Sequence, residues 1–387
     1  MKIIHTADWH IGKTVAEHNL LEDQRYYLEQ LVLLLAEEKA DVLIVAGDLY
    51  DRSVPSGEAV ELVDSILTEI TADLRIPVLA IAGNHDSRQR LSFGGKLLQK
   101  QGLFLVGSLQ KKIQMVTLSD DEGPVNFYLL PFFQPGDIRP LFPDTPLRTP
   151  EEAYNYLLGE TVKTLNHTQR NILITHGFLA GSEKSENEAV LSSELSVGGS
   201  DFICTGYFKD FDYVALGHLH APQSAGLNTA RYSGSLLKYS VDEANQNKKI
   251  LCVECGAPGD IRISKRRIKP LRDLRIVRGS FDDILNMGRE TPSGTDDYVF
   301  AEITQSEPEL EAMARLRSVY PNALGLKYIN RASGGTVNTK NVETLRRQTP
   351  DEIFGDFYRE ITGEILDPAK QALAKSIFHE VVEEDRR

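Results

Sequence analysis

The sequence predicts a mixed α/β (α+β) fold built around a largely parallel sheet, and three observations support this prediction. Short apolar runs alternate with segments of helical periodicity along the first part of the chain, which is typical of βαβ units. The run Val42–Val45 is β-branched and aliphatic throughout, which predicts a strand buried on both faces. Gly47 and Asp48 follow it, so Asp48 is expected outside the carboxyl end of a strand, where open α/β sheets bind ligands.

The other elements are predicted from the spacing of apolar residues. The predicted helices are residues 20–38, Pro55 to about Ile70, and residues 151–165. A further parallel strand begins at Ile76. Three apolar runs in residues 103–131 predict antiparallel additions to this sheet. Strands between residues 223 and 268 predict a second, antiparallel sheet that packs on the first.

The last part of the chain predicts three further segments. Pro270 marks a boundary, so residues 1–269 are expected to form the main domain and residues 270–331 a small β-α-β-α-β domain. Residues 332–348 are polar and contain Gly, Thr and Asn, which is typical of a linker. Residues 349–387 predict two helices whose apolar stripes a short helical pair cannot bury alone. We expect these helices to dock on a partner; docking on their own chain is the alternative.

Composition indicates a soluble protein of a reducing compartment. Of the 387 residues, 41% are hydrophobic and 26% are charged, and no apolar run reaches the roughly 18 residues that span a membrane. The N-terminus lacks a signal-peptide pattern and three cysteines are no disulfide framework, so a cytoplasmic location is expected. Cys252 and Cys255 form a lone CxxC in an alternating segment, which favours strand residues over a metal site. The net charge of -13 argues against coating nucleic acid but does not exclude local contact.

Five apolar runs end in residue types that bind metals. These residues are Asp8 and His10 after the first run, Asp48 after the second, Asn84 after the third, His176 after the fourth, and His218 and His220 after the fifth. Their oxygen and imidazole groups suit manganese, iron or zinc. The i, i+2 pairs point the same way in extended backbone, and the carboxylate of Asp48 can bridge two cations about 3.5–4 Å apart. The pattern therefore predicts a two-metal site for phosphoryl hydrolysis.

The neighbours of these ligands have predicted roles of their own. His85 follows Asn84 directly and cannot easily bind the same metal, so it is expected to face the substrate as a catalytic group. Asp86 can orient the imidazole of His85, as a carboxylate does for a general acid. Asp51 is either an orienting group or only a turn residue. The remaining histidines are interpreted as ordinary core residues: His5, His18, His167 and His379.

One stretch, from Arg262 to Arg275, is strongly basic. Its cations include Lys265, Arg266 and Arg267, which we take as candidate DNA-binding residues. Two interpretations of these side chains remain open. They contact phosphate groups, or they only keep an exposed strand edge soluble and protected from pairing with another strand.

Together, these motifs carry a resemblance to a known superfamily. Asp-x-His, Gly-Asp-x-x-Asp, Gly-Asn-His-Asp, a lone strand-end His and Gly-His-x-His resemble the motif series of the calcineurin-like metallophosphoesterases over residues 1 to about 255. Further segments are similar to the SbcD family, the nuclease subunits of bacterial SbcC–SbcD complexes, which are related to the eukaryotic double-strand-break repair nuclease. These segments are residues 10–13, 21–25, 47–56, 196–201, 211–220 and 232–236. The resemblance implies a four-layer β-sandwich flanked by helices.

The resemblance also implies roles for the site residues. It assigns one metal to Asp8, His10, Asp48 and His220, and a second metal to Asp48, Asn84, His176 and His218. His85 corresponds to the family's catalytic histidine beside the leaving group, and Mn²⁺ is the expected metal, with Mg²⁺ as a substitute. The implied activities are 3′→5′ exonuclease cleavage of duplex ends and endonuclease cleavage of single strands or hairpins, in double-strand-break processing, repair and recombination. The chain departs from the archaeal and eukaryotic relatives at Asp51, where they have a second active-site histidine.

Partners are implied in the same way. DNA is the substrate, residues 270–331 resemble the family's DNA-capping domain, and residues 349–387 resemble the segment that grips the SMC-like ATPase subunit SbcC. A homodimer within a heterotetramer, associated with the nucleoid and not with a membrane, is expected. Two alternatives remain: a phosphatase or phosphodiesterase for small substrates, and a scaffold for the ATPase with little catalysis. The small domain and the basic stretch argue against the first, and the complete ligand set argues against the second.

Overall fold

The computed structural model describes residues 1–180, 203–204, 206–305 and 307–329, together with separate positions between 354 and 378. The chain divides into two units, Met1–Ile329 and Asn330–Arg387. The predicted linker, residues 332–348, lies outside the described residues, as do the segment 196–201 and most of the predicted terminal helices.

The first sheet has a parallel centre. In spatial order its strands are β16 (Ile261–Arg266), β15 (Ile250–Cys255), β1 (Lys2–Thr6), β4 (Val42–Val45), β5 (Val78–Ile81) and β6 (Leu103–Val106). β1, β4, β5 and β6 run parallel, whereas β15 is antiparallel to β1 and β16 is antiparallel to β15. Helices α1 (Leu21–Glu38) and α2 (Gly57–Thr68) pack on one face, and a π-helical turn, Glu69–Asp73, extends α2. The predicted βαβ order is therefore confirmed.

The second sheet also has a parallel centre. In spatial order its strands are β13 (Gln223–Ala225), β14 (Leu227–Tyr232), β12 (Tyr213–Gly217), β9 (Arg170–His176), β8 (Gly123–Leu130) and β7 (Gln114–Asp120). β8, β9, β12 and β14 run parallel, and the two edge strands are antiparallel to their neighbours. Helix α6 (Pro150–Val162) packs on the outer face of this sheet.

Short elements lie between and beside the sheets. They are the hairpin β2 (Thr14–Val15) and β3 (His18–Asn19), the parallel pair β10 (Leu179–Ala180) and β11 (Ile203–Cys204), helices α3 (Arg88–Leu91), α4 (Gly95–Leu98) and α5 (Pro135–Ile138), and the 3₁₀ turns Gln99–Gln101, Gly206–Asp210 and Val241–Glu243.

The two sheets pack face to face because alternate side chains of each strand point to opposite sides. Ile3 and Val42 lie in the layer between the sheets, where Phe127 of the second sheet also lies. The residues that follow them, Ile4 and Leu43, belong to the other core, beneath α1 and α2. Each fully buried aliphatic or aromatic side chain contributes about 1.5–3 kcal/mol through removal from water. The order helix, sheet, sheet, helix confirms the four-layer sandwich.

Two predictions about strand placement are wrong. Residues 103–131 are predicted as antiparallel additions to the first sheet. β7 and β8 do pair antiparallel, but in the second sheet, and β6 is parallel to β5 because the helical connection through α3 and α4 permits a parallel crossover. The strands within residues 249–268 are predicted in the second sheet, yet β15 pairs with β1 of the first. The reason is that β4 covers one edge of β1 only, and alternation in β15 suits both cores, with Val253 between the sheets and Cys252 toward α1. Cys252 and Cys255 are buried strand residues, as predicted.

A β-α-β-α-β unit with a core of its own follows, in the predicted order of elements. Its elements are β17 (Leu274–Gly279), α7 (Phe281–Glu290), β18 (Tyr298–Ile303), α8 (Ala312–Arg317) and β19 (Ala323–Tyr328). The strands are parallel in the order β17-β18-β19, and Phe281 of α7 is fully buried against them. Arg272 and Tyr298 join this unit to α1, because both contact the buried carboxylate of Asp23, at 2.9 and 2.8 Å.

In the second unit, described positions such as Tyr358 and Leu373 are helical. The ring centroids of Phe354 and Phe378 lie 5.8 Å apart, so these two side chains contact each other. Within the part of the chain that the structure describes, no helix has both the length and the apolar character required to cross a lipid bilayer.

The layer between the sheets should carry a large share of the stability. Phe127 is 0% exposed there, whereas Met115 on the neighbouring strand β7 is 53% exposed. We expect Phe127→Ala to lower the free energy of unfolding by about 3–5 kcal/mol, because it leaves a cavity. Met115→Ala should change it by no more than about 0.5 kcal/mol. Urea denaturation of both variants checks this, and equal losses would contradict the packing described.

Candidate metal centre

The predicted ligands converge at one edge of the two sheets. β1 leads to Asp8 and His10, β4 to Asp48, β5 to Asn84, β9 ends at His176, and β12 leads to His218 and His220. The carboxyl ends of these parallel strands meet at the same edge. The turns after β1 and β4 are joined directly, because the backbone N–H of Asp8 donates to Gly47 O at 3.0 Å and that of His10 donates to Asp48 O at 2.9 Å.

Several of these residues have an unusual backbone conformation. The φ angle is 52° at Asp8, 45° at His10 and 52° at Asp48, in the left-handed region that residues other than glycine rarely adopt. Such conformations cost about 1–3 kcal/mol each and cluster at functional sites. The hydrogen bonds between the two turns stabilise them, and the result is that the side chains of both turns point into one cleft.

Two glycines allow the backbone to approach the site closely. Gly47 has φ 94°, and a Cβ there would lie 2.2 Å from Nδ1 of His176. A Cβ on Gly83 would lie 2.1 Å from Oδ1 of Asp48. At Gly47 both the positive φ and the short contact favour glycine. At Gly83 the requirement for glycine comes from the contact distance and not from a positive φ.

The side-chain distances define two adjoining ligand groups that share Asp48. In the first group, Nε2 of His10 lies 3.2 Å from Nε2 of His220 and 3.6 Å from Oδ2 of Asp48. Ligand atoms of Asp8, His10 and His220 all lie within 4.8 Å of one another, and so do those of Asp8, Asp48 and His176.

In the second group, Oδ1 of Asn84 lies 3.0 Å from Nε2 of His176 and 3.2 Å from Nδ1 of His218. Nε2 of His176 is 3.4 Å from Oδ2 of Asp48. One oxygen of Asp48 therefore lies within 3.6 Å of a ligand candidate from each group. The structure brings together every residue that the sequence predicts as a metal ligand.

Burial and the charge of Asp48 together shift the pKa values of these histidines. It lowers the pKa of His10 to about 4 and that of His218 to about 3, so both rings are neutral near pH 7 and offer a lone pair. Burial alone also lowers the pKa of His176, but the negative charge of Asp48 outweighs it and raises that pKa to about 9. The carboxylate of Asp48 thus stabilises positive charge beside it. A bound cation provides such charge without a proton.

The residues present fit divalent metal ions. Among the described side chains, the donors at this site are carboxylate, amide and imidazole groups, which suit manganese, iron or zinc. Nε2 of His10 and Nε2 of His220 face each other at 3.2 Å, and at most one nitrogen of such a facing pair can donate a hydrogen. A cation between the two rings could accept a lone pair from each nitrogen, whereas a hydrogen bond between them uses the lone pair of only one.

The predicted role of Asp86 is wrong. Its buried carboxylate accepts hydrogen bonds from the backbone N–H groups of Leu49, Tyr50 and Gly83, at 3.1, 3.0 and 3.0 Å. It therefore joins the turn after β4 to the turn after β5. The reason is that the bend after β5 directs the Asp86 carboxylate toward the backbone N–H groups of both turns, while the ring of the preceding residue bonds the backbone oxygen of Asp51.

The ring of His85 is oriented by Asp51 instead. Its Nδ1 lies 2.8 Å from the backbone oxygen of Asp51, which can only accept, so Nδ1 carries the hydrogen. The backbone N–H of His85 donates to Oδ1 of Asp48 at 2.8 Å. His85 is half-buried and lines the same cleft as Lys13 and Asn84. Asp51 is therefore an orienting group and not only a turn residue.

Sequence reasoning missed two residues at the site. Lys13 borders the cleft and its Nζ contacts Oδ1 of Asp51 at 2.8 Å. Glu243 is fully buried, and its Oε1 accepts a hydrogen bond from Nδ1 of His220 at 2.9 Å. The signal for Lys13 was its position three residues after His10. The signal for Glu243 was weaker. A metal-binding imidazole usually donates its other N–H to a carboxylate, so a partner for His220 could be expected, but the sequence does not show which carboxylate it is.

The three candidate DNA-binding residues of the basic stretch differ in their surroundings. The guanidinium of Arg266 is paired with Glu38, whereas Lys265 and Arg267 are exposed.

The histidines outside the site are predicted to be core residues. His5 is a core residue as predicted, fully buried with Nδ1 2.8 Å from the Tyr213 hydroxyl. His18 is half-buried and His167 is exposed, so the core prediction is wrong for His167; His379 lies outside the described residues.

Comparisons with known proteins agree with the fold. Residues 1–222 match the family described as calcineurin-like phosphoesterase, and residues 270–362 match the family described as type 5 capsule protein repressor C-terminal domain. Fold and site thus define a calcineurin-like phosphoesterase.

Two relatives that match over the whole chain show which family of calcineurin-like phosphoesterases it belongs to. A protein of Staphylococcus epidermidis is 32% identical over 385 residues, which cover 100% of both chains. A protein of Staphylococcus saprophyticus is 32% identical over 386 residues, which cover 99% of both chains. Each is named as the D subunit of the nuclease SbcCD. The present chain belongs to this SbcD family of calcineurin-like phosphoesterases.

Solved structures show weaker similarity. A dimetal phosphatase from Danio rerio is 13% identical, with a TM-score of 0.40 over 70% of this chain and 98% of that chain. The protein TT1561 of Thermus thermophilus is 12% identical, with a TM-score of 0.39 over 68% of this chain and 98% of that chain. These scores are too low to support a comparison of sites.

The corrected role of Asp86 leads to a stability prediction. An amide in place of this carboxylate presents one acceptor oxygen, so Asp86→Asn should leave at least one buried backbone N–H without a partner. We expect a loss of about 1–3 kcal/mol in the free energy of unfolding, measured by urea denaturation of metal-free protein. Asp64→Asn, an exposed change on α2, is the control and should have little effect. An Asp86→Asn variant as stable as the wild type would show that these hydrogen bonds do not hold the two turns together.

Proposed function

We propose that this chain is a two-metal phosphodiesterase that cleaves DNA, as a 3′→5′ exonuclease on duplex ends and an endonuclease on single strands or hairpins. The observation that carries the proposal is the position of Asp48, whose Oδ2 lies 3.6 Å from Nε2 of His10 and 3.4 Å from Nε2 of His176. A carboxylate between two groups of nitrogen and oxygen ligands is the arrangement that two-metal phosphoryl hydrolysis requires. Membership of the SbcD family supports DNA as the substrate.

In this proposal each group of ligands holds one divalent ion. Asp8, His10, Asp48 and His220 hold the first ion; Asp48, Asn84, His176 and His218 hold the second. Mn²⁺ is the metal that we propose, with Mg²⁺ as a substitute, since nitrogen and oxygen ligands without thiolate admit both. When bound, such ions lower the pKa of water and stabilise negative charge on the phosphate oxygens.

The chain's own residues position and protonate the substrate. The Nδ1–H of His85 is held by the backbone oxygen of Asp51, so the protonated ring can give its other proton, from Nε2, to the departing 3′ oxygen. Lys13 places a positive charge at the border of the cleft, where a phosphate group can approach it. Asp51 orients both groups, through its carbonyl and its carboxylate respectively.

Two other functions use the same residues in different ways. A phosphatase or phosphodiesterase for small substrates would need the metal centre alone, and a scaffold for an ATPase would need no catalysis. Similarity to SbcD proteins over the whole chain argues against the first, and the complete set of ligands argues against the second. Rates on a chromogenic phosphodiester and on linear DNA, compared under one condition, distinguish nuclease from small-molecule enzyme.

We propose the following organisation for the rest of the chain. Residues 1–269 form the nuclease domain, residues 270–331 a DNA-capping domain, residues 332–348 a linker, and residues 349–387 the segment that binds the SMC-like ATPase subunit SbcC. Two copies of the chain join SbcC in a heterotetramer that works on DNA breaks at the nucleoid. The exposed Lys265 and Arg267 are the side chains of the basic stretch that we propose for DNA contact, since Arg266 is paired with Glu38.

Metal binding and proton transfer should separate in two variants. Asp48→Ala should lose both metal ions and DNA cleavage, because it removes the shared ligand. His85→Leu should keep two ions per chain and lose about 10²–10⁴-fold in cleavage rate, because it removes only the proton donor. His167→Leu is the matched control, since His167 is exposed and outside the site. Elemental analysis and DNA digestion measure the two effects, and normal turnover by His85→Leu would remove His85 from the mechanism.

The terminal helices should be needed for the partner. We expect a chain without residues 349–387 to lose SbcC in a pull-down while it keeps metal-dependent cleavage. In the full chain, Leu373→Glu should weaken the same interaction, because Leu373 is 61% exposed on a described helical position. Leu271→Glu is the control, since Leu271 is 42% exposed outside this segment. Undiminished SbcC recovery by the truncated chain would refute this part of the proposal.

A further inference from the structure

A buried carboxylate lies directly behind one of the predicted metal ligands. Glu243 is 0% exposed and ends the 3₁₀ turn Val241–Glu243. Its Oε1 lies 2.9 Å from Nδ1 of His220. Because a carboxylate can only accept, Nδ1 carries the hydrogen, and the lone pair of the ring is on Nε2. That Nε2 faces Nε2 of His10 at 3.2 Å, inside the first ligand group.

The second oxygen of Glu243 is held just as firmly. Oε2 lies 2.5 Å from Nζ of Lys248 and accepts from the backbone N–H of Tyr239 at 3.2 Å. Nζ of Lys248 also lies 2.9 Å from the backbone oxygen of His220. Glu243 and Lys248 therefore hold the imidazole and the backbone of the same histidine. Because both of its oxygens have partners, the Glu243 carboxylate is held in one orientation relative to the His220 imidazole.

Tyr239 connects this network to the other histidine of the group. Its hydroxyl donates to the backbone oxygen of Trp9 at 2.5 Å, next to His10 in the chain. Its ring centroid lies 5.6 Å from that of His10 and 5.9 Å from that of His220. The contacts of Glu243 described here thus lead to the first ligand group, and His176 and His218 have other partners, Ala46 and Asn84.

We propose that Glu243 is a positioning residue that fixes the tautomer and the ring orientation of His220, and so sets the affinity of the first metal position. Lys248 holds Glu243 in place. This inference rests on the proposed two-metal function and deepens it, because it predicts that the two metal positions respond differently to one change. Groups behind a metal ligand typically alter metal affinity about 10–100-fold when they are removed.

The test is a titration of metal-free protein with Mn²⁺, in which the electron paramagnetic resonance signal of free Mn²⁺ reports occupancy. We expect Glu243→Ala to weaken one of the two positions about 10–100-fold and to leave the other unchanged. Glu243→Gln, which keeps an acceptor oxygen of the same shape, should weaken that position less. Glu254→Ala is the control, since Glu254 is an exposed carboxylate on β15.

A second measurement does not depend on the folding of a variant. At a pH where the ring is neutral, the ¹⁵N chemical shifts of the His220 imidazole in the metal-free wild type should report the hydrogen on Nδ1; a neutral ring with its hydrogen on Nε2 would overturn the inference. If the wild type binds two Mn²⁺ ions and both Glu243 variants bind them with wild-type affinity, the inference is wrong while the proposed function stands. If the wild type binds none, the proposed function fails as well.

Discussion

Three consecutive carbonyl groups in the turn after β4 hold the site together. They accept hydrogen bonds from groups of both sheets: Ala46 from Nδ1 of His176 (2.8 Å), Gly47 from the N–H of Asp8 (3.0 Å) and Asp48 from the N–H of His10 (2.9 Å). Asp86 fixes the next two residues of the turn through their N–H groups. Because the strands around this turn are packed and hydrogen-bonded, the ligands are in position before a cation binds, which lowers the free-energy cost of binding.

The strands and the ligands are predictable from the sequence because both are encoded locally. An apolar run marks a buried strand, and a polar residue after it, often preceded by glycine, lies at the sheet edge where parallel strands end. The position of β15 beside β1 is not predictable in this way, because it depends on which edge remains free in the folded sheet. The partners of Asp86 and Glu243 escape prediction for a similar reason, since the direction of a side chain in a turn depends on contacts between distant segments.

The charge of the chain bears on how the proposed nuclease would attract DNA. The chain has a net charge of -13, and two cations of the basic stretch are paired with carboxylates of α1, Arg266 with Glu38 and Arg272 with Asp23. Exposed cations of that stretch then act locally and only within about 8 Å at physiological salt. Two divalent ions would be the largest positive charges at the site. Metal binding and substrate binding are therefore expected to be coupled in this protein.

Digestion of an end-labelled linear duplex by the purified chain, with Mn²⁺, with Mg²⁺ and with chelator, tests the two-metal nuclease most directly. Shortening from the 3′ ends with Mn²⁺, weaker shortening with Mg²⁺ and none with chelator is the expected result. Cleavage that persists in excess chelator would contradict a metal-dependent mechanism. No cleavage with Mn²⁺, either alone or after addition of SbcC and ATP, would contradict the nuclease itself.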